Sequence, residues 1–162
     1  MKALTADDVV RLLDLQPHPI EGGYFRETWR SRDAVRDRSV GTAIYYLLSG
    51  AAVSEMHRLP GDEVFHFYLG DPVRQLHLYP DGTGKEFILG TDLATGQVPQ
   101  LVVPGGAWQG AYRLAGPHEY SLLGATMAPG FDYADYATGP RGELSATWPA
   151  FVELIERLTP RG

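Results

Sequence analysis

The chain has 162 residues, 44% of them hydrophobic, a formal charge of −6 and no cysteine. Disulfides, thiolate catalysis and cysteine-based zinc sites are excluded, and an acidic balance without a Lys/Arg run speaks against a general nucleic-acid binder. No stretch approaches the ~20 apolar residues that span a bilayer, and residues 1–14 lack the apolar run of a secretory signal, so one soluble cytoplasmic domain over residues 1–162 is expected.

Thr5 and Asp8 sit at the spacing of a capping box, and Val9, Val10, Leu12, Leu13 and Leu15 supply an apolar face, so a helix is predicted over about 5–15. Pro17 and Pro19 end it. Tyr24 to Trp29 reads as a strand, and the charged stretch 31–39 as an exposed loop. Further strands are predicted over 42–48, 52–59, 63–69, 73–79, 85–89, 101–103, 111–114, 120–127 and 131–137, separated by Gly/Pro turns. The segment from Pro149 to Leu158 has helical apolar periodicity. This is the pattern of an all-β sandwich or barrel with minor flanking helices. Apolar residues occupy both parities of strands such as Ile44-Tyr45-Tyr46-Leu47-Leu48, so both faces must be covered. A second subunit is one way to cover them, and a homodimer is expected.

The stretch from Met56 to Gly70 carries the chemistry. His57 precedes the Pro60-Gly61 turn and Glu63 follows it, so an imidazole and a carboxylate lie on neighbouring strands. Three readings stand open. The pair can bind a divalent metal, it can form a hydrogen-bonded general base, or Glu63 can simply neutralise His57 or Arg58. His66 falls on the opposite parity from Glu63 and joins it only through a bulge; otherwise it lines the other face or a subunit contact. His77 shares a strand face with Gln75 and Tyr79 and reads as a tolerated strand histidine. His18 and His118 each neighbour a proline and are expected at the surface. Pro104-Gly105-Gly106-Ala107-Trp108-Gln109 reads as a tight barrel turn, with Gln109 the one side chain there that can reach a ligand or metal.

These residues carry a resemblance to the cupins. Glu63-x6-Gly70, preceded by His57, is similar to half of the first cupin motif, and Pro104-x-Gly106-x2-Gln109 to the second. The segments 18–31, 41–47, 57–70 and 128–133, with the region 90–109, resemble the cupin family 5 branch, a domain of unknown function. The resemblance implies a cupin-type double-stranded β-helix, a jelly-roll barrel with a central ligand pocket, commonly dimeric. Cupins include metal-dependent enzymes, metal-free sugar-nucleotide epimerases and non-enzymatic proteins, so the fold alone assigns no activity. This chain departs from the motifs: Glu55 replaces one histidine, Gln109 another, and Arg113 an asparagine.

The leading expectation is therefore a metal-free cupin holding a small polar or anionic molecule, sugar- or nucleotide-like, with isomerase or epimerase chemistry by fold analogy. His57 would be the base, oriented by Glu63; Arg26 would meet an anionic group; Tyr24, His66, Tyr68 and Gln109 would complete the binding site. A second expectation is a metal-dependent enzyme using Glu55, His57, Glu63 and Gln109 as ligands to a hard divalent cation. The third is a binding or sensing protein without catalysis.

Overall fold

The protein is described over residues 4–160 of a computed structural model; residues 1–3 and 161–162 of the expected domain lie outside the described residues. The chain opens with α1 (Ala6–Leu12), in which Thr5 Oγ1 accepts from Asp8 N at 3.2 Å and Thr5 N donates to the Asp8 carboxylate at 3.1 Å. That is the predicted capping box. The helix stops short of the predicted end because Asp14 takes a left-handed φ of 52°.

Thirteen strands follow among the described residues: β1 (Gln16–Pro17), β2 (Tyr24–Arg30), β3 (Ala34–Val35), β4 (Arg38–Ser39), β5 (Thr42–Ser49), β6 (Val53–Arg58), β7 (Glu63–Gly70), β8 (Val73–Leu78), β9 (Gly84–Leu89), β10 (Gln100–Val103), β11 (Trp108–Arg113), β12 (Tyr120–Met127) and β13 (Ala137–Thr138). They form a six-stranded sheet in the order β1-β2-β5-β12-β7-β10 and a five-stranded sheet in the order β13-β6-β11-β8-β9. Non-consecutive neighbours such as β5-β12-β7 and β6-β11-β8 are antiparallel, which is jelly-roll pairing. The loop predicted over 31–39 contains the small β3-β4 hairpin.

Three apolar clusters account for the double-sided hydrophobicity. Between the sheets lie Tyr46, Leu48, Phe65, Val73, Leu89, Leu123 and their neighbours. On the outside of the six-stranded sheet, Val9 of α1 and Leu15 just after it pack against Leu47, Tyr120 and Leu122. On the outside of the five-stranded sheet, α2 (Arg141–Thr147) and α3 (Val152–Arg157) bury Leu144 and Ile155 against Met56, Leu76 and Leu78. Helix α2 was not predicted, since Leu144 is its one buried residue and its sequence has no apolar stripe. Helices from the chain itself therefore cover much of what the sequence left to a partner.

Two predicted strand boundaries shift in ways that matter for the site. Strand β11 begins at Trp108, so Gln109 lies within the sheet, paired with His57 of β6 and His77 of β8, and not in a turn. The predicted strand over 131–137 is instead a 3-10 turn (Tyr133–Asp135) leading into β13. The Asp132 side chain accepts from Ala134 N at 2.9 Å and caps that turn. This loop crosses the barrel mouth and is pinned there: Arg30 donates to Phe131 O at 3.0 Å, and Phe131 N donates to Thr42 Oγ1 at 3.0 Å.

Candidate functional site

Strand β7 delivers Glu63 at its first residue, with Phe65 and Phe67 behind it on the inner side. Strand β6 delivers His57, and β11 delivers Gln109, directly opposite each other. Gln109 Nε2 donates to Glu63 Oε2 at 2.7 Å, and Gln75 Nε2 donates to Gln109 Oε1 at 2.9 Å. His57 is 1% exposed and its ring stacks on Tyr136, with centroids 4.9 Å apart. Its Nδ1 lies 2.8 Å from the backbone carbonyl of Glu55. A carbonyl only accepts, so Nδ1 carries the proton and Nε2 keeps its lone pair.

The segment between α1 and β2 adds two residues that the sequence analysis did not place here. His18, expected at the surface, is buried with 5% of its side chain exposed. Its Nδ1 accepts from Glu21 N at 2.9 Å and Ile20 N at 3.3 Å, so its proton is on Nε2, which lies 3.7 Å from Glu21 Oε2. The Glu21 carboxylate also receives the Ser54 hydroxyl. Gly22, at φ 99°, makes this possible: a Cβ there would stand 2.3 Å from Val53 O. A non-glycine residue would hold the loop off β6. His18 has a proline neighbour, which suggested a loop; nothing in the sequence indicated that the loop folds inward.

Burial sets the electrostatics. It pushes the Glu63 carboxyl up to about 7, against the pull of the His57 imidazole and the Gln109 hydrogen bond. Glu21 is raised for the same reason. Burial lowers His57 and His18, so both imidazoles are neutral near pH 7. His57 and Glu63 influence each other, Glu21 raises Glu63, and His18 feels both Glu21 and His57, so the four groups titrate together.

Glu63 and His18 reach a pocket of about 70 Å³ whose other walls include Phe25, Ile44, Met127, Phe131 and Tyr133. Glu27 and Arg30 stand in the same pocket wall, joined by two hydrogen bonds of 2.8 and 2.9 Å. A bulge between Glu27 and Trp29 turns Arg30 inward, where simple alternation would have placed Trp29.

The remaining predicted residues lie elsewhere. Tyr24 packs in the outer cluster under α1, and Arg26 lies 5.6 Å above the Tyr45 ring on that outer side. His66 bonds Thr126 Oγ1 at 3.1 Å and stacks beside Tyr68, which is 48% exposed. A Cβ on Gly124 would strike the Tyr68 ring, so Tyr68 lies flat on the outer face of β12. The structure thus brings together His57, Glu63 and Gln109, and leaves Tyr24, Arg26, His66 and Tyr68 outside the barrel.

The side chains proposed as metal ligands do not make a cage. Gln109 turns its NH2 toward Glu63 and gives its oxygen to Gln75. Glu55 lines two other clefts, one with Arg113 and Arg157, one with Ile20 and Tyr136. No group of three or more His, Asp or Glu among the described residues is placed to hold an ion. These residues do not fit a divalent metal.

The comparisons agree with this architecture. A solved protein from Shewanella oneidensis, SO0799, is 33% identical and superposes with a TM-score of 0.89 over 96% of this chain and 98% of its own. A hypothetical protein from Leishmania major is 30% identical, with a TM-score of 0.90 over 96% and 99%. The uncharacterised Saccharomyces cerevisiae protein YML079W is 32% identical over 136 residues, 72% of this chain and 66% of the yeast protein. Oxalate decarboxylase of Bacillus subtilis, described with Mn(II) centres, shares the fold at 16–18% identity in five of its structures, with a TM-score of 0.58 over 90% of this chain and 38% of its own. The family model described as "Cupin superfamily (DUF985)" matches residues 7–139, and with the jelly-roll pairing and the Glu63–Gln109 site this places the chain in the DUF985 family of the cupins.

Proposed function

We propose that this protein binds a small polar carbonyl compound in the Glu63 pocket and isomerises it by proton transfer. The observation that carries this reading is a buried carboxyl with a pKa of about 7 at the floor of a mostly apolar pocket. Such a group is nearly half ionised at neutral pH, which suits an acid and base in one cycle. Glu63, not His57, is then the group that touches substrate, because His57 lies behind it against Tyr136.

In this scheme the Glu63 carboxylate takes the proton from the carbon next to the carbonyl. The C–H electron pair forms the enol double bond, and the carbonyl oxygen takes a proton from His18 Nε2, leaving an imidazolate whose Nδ1 still accepts from Glu21 N and Ile20 N until Nε2 recovers a proton from the neighbouring hydroxyl. Reversing the transfer at the neighbouring carbon returns both protons, so no oxidant or reductant is needed. The Gln109 amide, which donates to Glu63 Oε2, stabilises the ionised Glu63. The pocket is small against the roughly 300 Å³ at the low end of ligand sites, which favours a molecule without a nucleotide.

The test is solvent-deuterium exchange into hydroxyketones and keto sugars. Exchange is expected with the intact protein and at least 100-fold less with Glu63→Gln, a factor of the size that general acid–base groups contribute. Ligand binding without exchange in the intact protein would leave a binding protein and remove the catalytic reading. We further propose a homodimer through the outer face bearing Arg26, Tyr45, His66 and Tyr68, which α1 leaves partly uncovered.

A further inference from the structure

Gln109 has two histidine neighbours across the sheet, His57 on β6 and His77 on β8. The chemistry above uses only the first. Gln75, two residues before His77, shares its inward face and bonds Gln109. Both are fully inside the barrel, Gln75 at 1% and His77 at 0% exposure. Yet Gln75 Oε1 and both ring nitrogens of His77 meet no hydrogen-bonding protein atom among the described residues.

Three such atoms on one strand face are costly. A buried donor or acceptor without a partner keeps the full cost of leaving water, and buried polar side chains are nearly always paired. Turning both glutamine amides over does not help, because it strands the Gln75 NH2 in place of its oxygen. The ring is walled by Phe87, 4.7 Å away between centroids, and by Tyr79 at 6.2 Å. Burial lowers His77 to about 4, so the imidazole is neutral, with one N–H donor and one lone pair.

We propose that Gln75 and His77 form a second site inside the barrel, which holds one neutral hydroxyl group. A hydroxyl donates and accepts, as the amide and the neutral imidazole together require. A neutral site walled by aromatic rings rejects ions, whose burial without a counter-charge is prohibitive. Water and the alcohol of a small polyol share this chemistry. Either occupant completes a hydrogen-bonded chain from His77 through Gln75 and Gln109 to Glu63, and holds the Gln109 amide in one orientation. The inference does not depend on the isomerase reading.

The test is made on the intact protein. Long-range ¹H–¹⁵N spectra of histidine-labelled protein should show one His77 ring N–H protected from exchange and the other nitrogen shifted from its free-imidazole value. Crystals grown without polyol should show an oxygen within about 2.6–3.2 Å of the Gln75 amide and a His77 nitrogen. A second crystal soaked in glycerol tells the sources apart: an unchanged isolated oxygen identifies water, and density continuous with glycerol identifies an alcohol. His77 nitrogens at free-imidazole shifts with no density between the side chains, or His77 bonded directly to Gln75, would overturn the proposal.

Discussion

Burying Glu63 costs the fold stability. Unfolded, it titrates near 4.5; folded, near 7. Between those values the folded state holds more protons, so stability falls as pH rises from 4.5 to 7. The difference corresponds to roughly 3 kcal/mol at pH 8. Glu63→Gln is therefore expected to be more stable than the parent at pH 8, by up to that amount, and to show no such gain at pH 4, as denaturant melts at the two pH values would read. His77 acts in the opposite sense. Its unfolded value is 6.5 and its folded value about 4, so the unfolded chain binds the extra proton and stability falls as pH drops from 6.5 to 4. His77→Phe should flatten that acid limb of the stability curve. If the limb keeps its slope in the variant, His77 is not its source.

At the scale of elements, the bulges and glycines explain which residues the sequence placed correctly. His57 and Glu63 were legible because a Pro-Gly turn fixes two strands side by side, and local spacing then determines what meets. Gln109 was legible as a residue but not as part of a strand, since its Gly-rich approach resembles a turn. Alternation along β2 gives no sign of which parity faces inward, so Arg26 and Tyr24 were not separable from Phe25 and Glu27; Arg30 reaches the pocket only through the bulge at Glu27–Trp29, which leaves no mark in composition. Glu55 and Met56 straddle a second irregularity, between Gln109 and Ala111 of the facing strand. His18 and Glu21 depend on the approach of Gly22 to Val53 O, a tertiary contact with no local signature. Gly22→Ala would put a Cβ 2.3 Å from that carbonyl at a φ of 99°. A loss of roughly 2 kcal/mol or more in chemical unfolding is expected, since strain of this kind alone costs about 1–3 kcal/mol. The variant should also move the His18 titration. A Gly22→Ala protein as stable as its parent would mean the loop does not lie against β6.

For the whole molecule, two sheets enclose a polar row within an otherwise apolar barrel, and helices seal both outer faces in part. No helix among the described residues is long and apolar enough to cross a membrane. Helices α1, α2 and α3 take most of the outward apolar residues that strand alternation would leave to a partner. What remains uncovered includes Tyr68 and Leu69 on β7 and Val102 on β10. If two copies pair there, light scattering should give twice the chain mass, and Tyr68→Asp should give the single-chain mass with an unchanged circular dichroism spectrum. A monomeric parent would remove the dimer from the account.

The proposed acid–base role requires a Glu63 carboxyl whose proton affinity is set by burial. The most direct measurement is a ¹³C titration of the Glu63 side-chain carboxyl in the glutamate-labelled protein, assigned with Glu63→Gln. A midpoint near 7 is predicted. A midpoint near the ordinary 4.5 would mean that water reaches the group freely, and would contradict the acid–base role assigned to it.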